Sequence, residues 1–120
     1  MSTPRLDPVL LDPTRLTIVA LLAGTQWAEF SFVRDAAQVS DSVLSKRISG
    51  LADGGYVEVR KGYVGKRPRT WINLSAAGRA ALSAHVAALQ EIATRAEQSP
   101  STSSDGAPGP DPVVVPEAMT

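Results

Sequence analysis

The 120-residue chain contains no cysteine, which excludes a disulfide framework and any thiolate metal site. It has one histidine, His85, and a lone histidine without a second imidazole or thiolate is not a metal-ligand set. No apolar run approaches the length of a membrane span, and the N-terminus lacks a basic-then-apolar leader. These absences predict a cytoplasmic protein with no membrane partner. Asn73-Leu74-Ser75 matches a glycosylation sequon, which without a leader is a coincidence. Gly65-Lys66 lacks both the upstream glycine spacing and the following Ser or Thr of a phosphate loop. No nucleophile–base pair, metal cluster or cofactor loop can be assembled, so the expectation is a non-enzyme without cofactors.

Net charge is also lacking, with 12 basic and 12 acidic residues. The balance conceals an asymmetry. Between Lys46 and Arg69 seven cations face only Asp53 and Glu58, a local charge of +5. Beyond Glu97 the chain holds Asp105, Asp111 and Glu117 and no Lys or Arg. A basic middle of this kind makes a polyanion, and nucleic acid in particular, the partner to consider.

The length allows one domain and a tail. After a short lead over residues 1–12, Asp12 and Pro13 form a helix start, and the dense apolar run in "TRLTIVALLAG" predicts a mostly buried helix over 13–23. "TQWAEFS" has the loose alternation of a short strand. Ser31 is expected to cap a second helix, "FVRDAAQ". Ser40 or Asp41 caps a third, "SVLSKRISGLADGG", whose Leu44, Ile48 and Leu51 share one face and which stops at Gly54-Gly55. "YVEVRKG" and "RTWINLS" flank "YVGKRP" and predict a hairpin with a loop longer than a tight turn. Ser75 opens a last helix over 75–97. Residues 99–120, rich in Pro, Gly and Ser, are expected to be a disordered tail. The order helix, short strand, helix, helix, hairpin, helix is that of a winged helix-turn-helix: mainly α with a small β-hairpin, spanning 13–98.

The tight turn between the second and third helices lets them cross steeply. With Leu44, Ile48 and Leu51 inward, the third helix shows Asp41, Ser42, Ser45, Lys46 and Ser49, flanked by Val43 and Arg47. Small polar side chains permit close approach to a groove, and Lys or Arg can reach bases or phosphates. The hairpin adds Lys61 at its base and Lys66, Arg67 and Arg69 at its tip. Stiff like charges on one ribbon suit a polyanion, contacting phosphates without specifying sequence.

The stretch "LSKRISGLADGGYVEV", leading into "GKRPRTW" and then "LSAAGRAAL", resembles the winged-helix transcriptional regulators of the MarR/ArsR-like group, over about residues 13–95. The resemblance implies a homodimer on a roughly palindromic DNA operator, with the third helix in the major groove and the wing beside it. Carried over by position, Ser42, Ser45, Lys46 and Arg47 form the groove-facing set, and Lys66, Arg67 and Arg69 the wing set. The tail has no counterpart in that pattern. On the last helix Leu82, Val86, Leu89, Ile92, Ala93 and Ala96 form one apolar stripe, and the helix is too long for so small a domain to cover. That stripe is the expected dimer interface. Trp27, Phe30, Phe32 and Trp71 are expected core or strand-packing residues that could also line a pocket for a small-molecule effector. The function expected is a DNA-binding regulator, acting as a repressor. The alternative is a protein-interaction module whose basic face docks an acidic partner.

Overall fold

The computed structural model describes residues 5–98, so the predicted tail lies outside the described residues. A 3-10 turn at Pro8–Leu11 precedes α1 (Pro13–Ala23), β1 (Ala28–Glu29), α2 (Phe30–Ala37), α3 (Asp41–Asp53), β2 (Val57–Val64), β3 (Arg67–Leu74) and α4 (Ala76–Gln98). Packing divides the chain into two units, one through Ala88 and one beginning at Leu89.

In the first unit the local signals account for most of the boundaries. The Asp12 carboxylate accepts from the Arg15 N–H at 2.9 Å and starts α1, with Pro13 at the first helical position. Ser40 Oγ accepts from the Val43 N–H at 3.2 Å and starts α3; Gly54 ends it, and Gly55 follows at φ +81°. Ser75 Oγ accepts from the Gly78 N–H at 2.9 Å at the head of α4. The Ser31 cap is the exception. Helix α2 begins two residues earlier with Glu29 at its cap position, and Ser31 Oγ instead donates to Glu29 Oε1 at 2.8 Å. Pairing of Glu29 with Trp71 across the sheet holds this boundary.

The sheet order is β1-β3-β2, all antiparallel. The hairpin loop is shorter than expected. Val64 pairs with Arg67, leaving only Gly65 and Lys66 to turn. Gly65 has φ +64°, the glycine position of a two-residue turn matched to strand twist. Pro68 therefore stands in β3 opposite Tyr63. Alternation from the turn-flanking pair makes this a non-hydrogen-bonded pair, so the missing N–H faces outward. There β3 has no second neighbour, because β1 pairs only with Trp71 and Ile72.

The core joins Leu10, Ile18, Val19 and Leu22 to Val33, Leu44, Ile48 and Leu51, closed by Ala28, Val57, Ile72 and Leu74 from the sheet. Only one stripe of α1 is fully buried; Thr17 and Ala20 are exposed and Leu16 is half-buried. Leu10 makes residues 5–12 part of the fold rather than only a lead. Asp7 ties them down: its carboxylate accepts from the Tyr56 hydroxyl at 2.7 Å, and its N–H donates to His85 Nδ1 at 2.9 Å. His85 is 2% exposed. Gly78 lets α4 pass close over the segment between α3 and β2, because a Cβ there would collide with the Tyr56 carbonyl oxygen and come within 2.8 Å of Leu74 Cδ1.

In the second unit, the described part of α4 carries an ion pair between Arg95 and Glu91 at 3.1 Å.

Candidate nucleic-acid interface

Helix α3 is presented by its buried side. Leu44 and Leu51 are fully buried and Ile48 nearly so, and this turns Ser42, Ser45, Lys46 and Ser49 to the surface. Val43, on the flank, is 37% exposed. The turn before the helix is braced by Arg34, whose guanidinium contacts Asp35 and Asp41, each at 2.9 Å. Both carboxylates hold Arg34 more firmly protonated than a lone guanidinium, the Asp35 hydrogen bond contributing most.

Arg47 is drawn elsewhere. Its Nε lies 3.3 Å from Asp12 Oδ2, with each side chain 30% exposed. Asp12 thus caps α1 and holds α3 with one carboxyl. The Arg15 N–H lowers its pKa most; partial burial opposes this, and the charge of Arg47 adds to the lowering.

The strand register sorts the wing cations onto two faces. Lys61 pairs with Thr70 and follows Val59, which pairs with Ile72; this face continues the core. Val59, Lys61 and Thr70 meet Ser45, Ile48 and Ser49 of α3 across a cleft of about 310 Å³. Arg60 pairs with Trp71 on the opposite face, where its guanidinium lies 4.0 Å from the centre of the Trp27 ring. Arg69 stands on that face too, its Nε 2.9 Å from Glu29 Oε2. Trp27 is held at φ +50°, where a bulky residue is strained, and its N–H donates to Asn73 Oδ1 at 3.3 Å.

Of the seven cations between residues 46 and 69, three are therefore committed within the chain: Arg47, Arg60 and Arg69. Lys46, Lys61, Lys66 and Arg67 are exposed and make no ion pair among the described residues. Lys46 and Lys61 belong to α3 and to the cleft-facing side of the wing, and Lys66 and Arg67 to its tip. Sequence reasoning missed the partners of Arg47 and Arg69, which come from Asp12 and Glu29 in distant segments. The Arg60–Trp71 pairing could have been read from the register, and the Trp27 stack could not.

The expected dimer stripe has residues in both units. In the first, Leu82 packs on the core and Val86 is 39% exposed. In the second, Leu89 and Ile92 are 41% and 42% exposed, and Ala93 and Ala96 are exposed. The four aromatics do not share one pocket. Trp27 and Trp71 flank Arg60, Phe30 lines the α3–wing cleft, and Phe32 is 52% exposed rather than part of the core.

This geometry, a capped helix with a small polar face beside a basic two-stranded ribbon, defines a winged helix. Residues 14–93 match the family described as winged helix DNA-binding domain, and the chain belongs to that family, which is one of DNA-binding domains and not of enzymes. An uncharacterized protein of Methanocaldococcus jannaschii is 26% identical over 83 residues, covering 69% of this chain and 90% of that one. A transcriptional regulator homologue from Pyrococcus horikoshii has a similar structure, with a TM-score of 0.69 and 24% identity over 74% of this chain and 88% of that one. A MarR-family transcriptional regulator from Silicibacter pomeroyi shares the fold at a TM-score of 0.56 and 22% identity, over 78% of this chain and 62% of the other. No helix among the described residues is long and apolar enough to cross a membrane.

Proposed function

We propose that the chain is a cytoplasmic transcriptional regulator that binds a pseudo-palindromic operator as a homodimer and represses by occluding a promoter. The observation that carries this reading is the α3–wing cleft, where Ser45 and Ser49 of α3 face Lys61 of the wing, with Ser42 and Lys46 exposed on the same helix and Lys66 and Arg67 exposed at the wing tip. The α3 set supplies close approach and a cation for a major groove. The wing set supplies phosphate contacts that strengthen binding without choosing a sequence. Arg47 and Arg69, paired through Nε with Asp12 and Glu29, act first as braces of α3 and the wing. The domain reading is a winged helix over 13–98 followed by a separate tail.

Self-association is assigned to Leu89, Ile92, Ala93 and Ala96 of α4, continued by Val86 and Leu82. Two-fold pairing would set the two α3 helices about one DNA turn, ~34 Å, apart. A small-molecule effector fits this reading as an added input, for which Trp27 and Trp71 are the candidate aromatic contacts.

The test is binding to the DNA upstream of the protein's own gene, titrated against a scrambled duplex of equal length at two salt concentrations. A cognate preference of about 10³ or more that survives the higher salt is expected. Equal binding to both, lost as salt rises, would leave only a basic surface and refute operator recognition at that site.

A further inference from the structure

The wing tip has an apolar feature that phosphate contacts leave unused. Tyr63 is 73% exposed, the most exposed large apolar side chain among the described residues. Its hydroxyl has no hydrogen-bond partner among them. It stands opposite Pro68, a ring with no side-chain freedom to lose on contact. Alternation along β2 puts Tyr63 on the same face as Val59 and Lys61, and those two line the cleft toward α3. Between Lys61 and Trp71 there are four cations and no acid.

We propose that Tyr63 is an apolar anchor on duplex DNA, its ring packed against the deoxyribose wall of the minor groove while Lys66 and Arg67 hold the flanking phosphates. The inference rests on the DNA-binding reading and adds to it a contact that is not electrostatic. Charge decides the occupant. A phenol on the face of Lys61, at a tip that also carries Lys66 and Arg67, suits a polyanion with apolar surface between its charges, and the sugar walls of a duplex have that character. Apolar side chains placed in the minor groove are a known means of gripping DNA without reading it base by base. The two-residue turn and Pro68 make the tip narrow and stiff, the shape such a contact needs.

Apolar contact releases no counterions, so it should differ from the lysine contacts in its response to salt. Affinity for a scrambled duplex would be measured over a salt series for the full chain and for Tyr63→Ala, Tyr63→Phe and Lys66→Ala. Tyr63→Ala should weaken binding by roughly 5- to 100-fold, the range of an aromatic–nucleic acid contact, along a line parallel to wild type. Tyr63→Phe should keep most of the affinity. Lys66→Ala should lower the slope by about one. Wild-type affinity in Tyr63→Ala, or a loss accompanied by a slope change as large as that of Lys66→Ala, would overturn the inference and leave the DNA reading intact. A wild-type chain that binds neither the scrambled nor the upstream duplex would overturn the DNA reading itself. Since Tyr63 is 73% exposed, the alanine variant is expected to fold.

Discussion

At the scale of single residues, the fold leans on a few positions where one atom decides. Gly78 is buried in α4 because the helix passes over the Tyr56 carbonyl. Gly78→Ala must push the helix away and is expected to cost about 1–3 kcal/mol, as overpacking does, measured by chemical denaturation. Tyr56 gives a pH signature. Its hydrogen bond to Asp7, helped by burial, raises the phenol from 10.0 to about 12. The folded state favours the protonated phenol, so this stabilisation is complete below pH 10 and is lost as pH rises toward 12. Tyr56→Phe should lower stability by about 1 kcal/mol at neutral pH and flatten the loss of stability over that alkaline window. Asp12 works in the opposite sense. Its pKa is depressed below 3.8, so its contribution is present above that value and fades as pH falls through the lowered one. Asp12→Asn should remove that acid dependence from a pH series of melting curves.

At the scale of elements, the wing is where composition and structure part. Seven cations in 24 residues suggest a uniformly basic surface, yet the alternation of the ribbon sends Arg60 and Arg69 to the face opposite α3, where Trp27 and Glu29 engage them. Charge replacements in the wing should therefore differ in effect. Removing Lys66 and Arg67 together is expected to lower the slope of log affinity against log salt by up to about two. Arg69→Ala should change that slope less than Arg67→Ala does, because its guanidinium is already neutralised by Glu29. Equal slopes for the two single variants would show that Arg69 exchanges Glu29 for phosphate on binding. Helix α3 shows the same division: Lys46 faces out, while Arg47 one position on is tied to Asp12 at the start of α1.

At the scale of the whole molecule, α4 is the element that carries exposed apolar residues in both units. His85 and Ala88 are buried, whereas Val86, Leu89 and Ile92 are each about 40% exposed. A two-fold partner is the simplest cover for such a stripe. If the proposed dimer forms through this stripe, Ile92→Asp should convert it to a monomer in sedimentation at micromolar concentration. It should also weaken binding to a two-half-site operator far more than binding to an isolated half-site. A chain that is monomeric before the substitution would refute the assigned interface.

The order of elements, the inward face of α3 and the basic middle were legible in the sequence. They rest on short-range physics: helical periodicity in Leu44, Ile48 and Leu51, caps at Asp12, Ser40 and Ser75, and a Gly pair after Asp53. The Ser31 cap and the long hairpin loop failed for a reason of the same kind. Cross-strand pairing of Glu29 with Trp71 and of Val64 with Arg67 decides those boundaries, and propensity alone does not see a strand's partner. What only the tertiary structure decided is which charged and aromatic side chains remain available to a ligand. Arg47 meets a carboxylate 35 residues away, and the buried His85 accepts from an N–H 78 residues away. No local pattern records such pairings, since they arise when distant segments converge on one core.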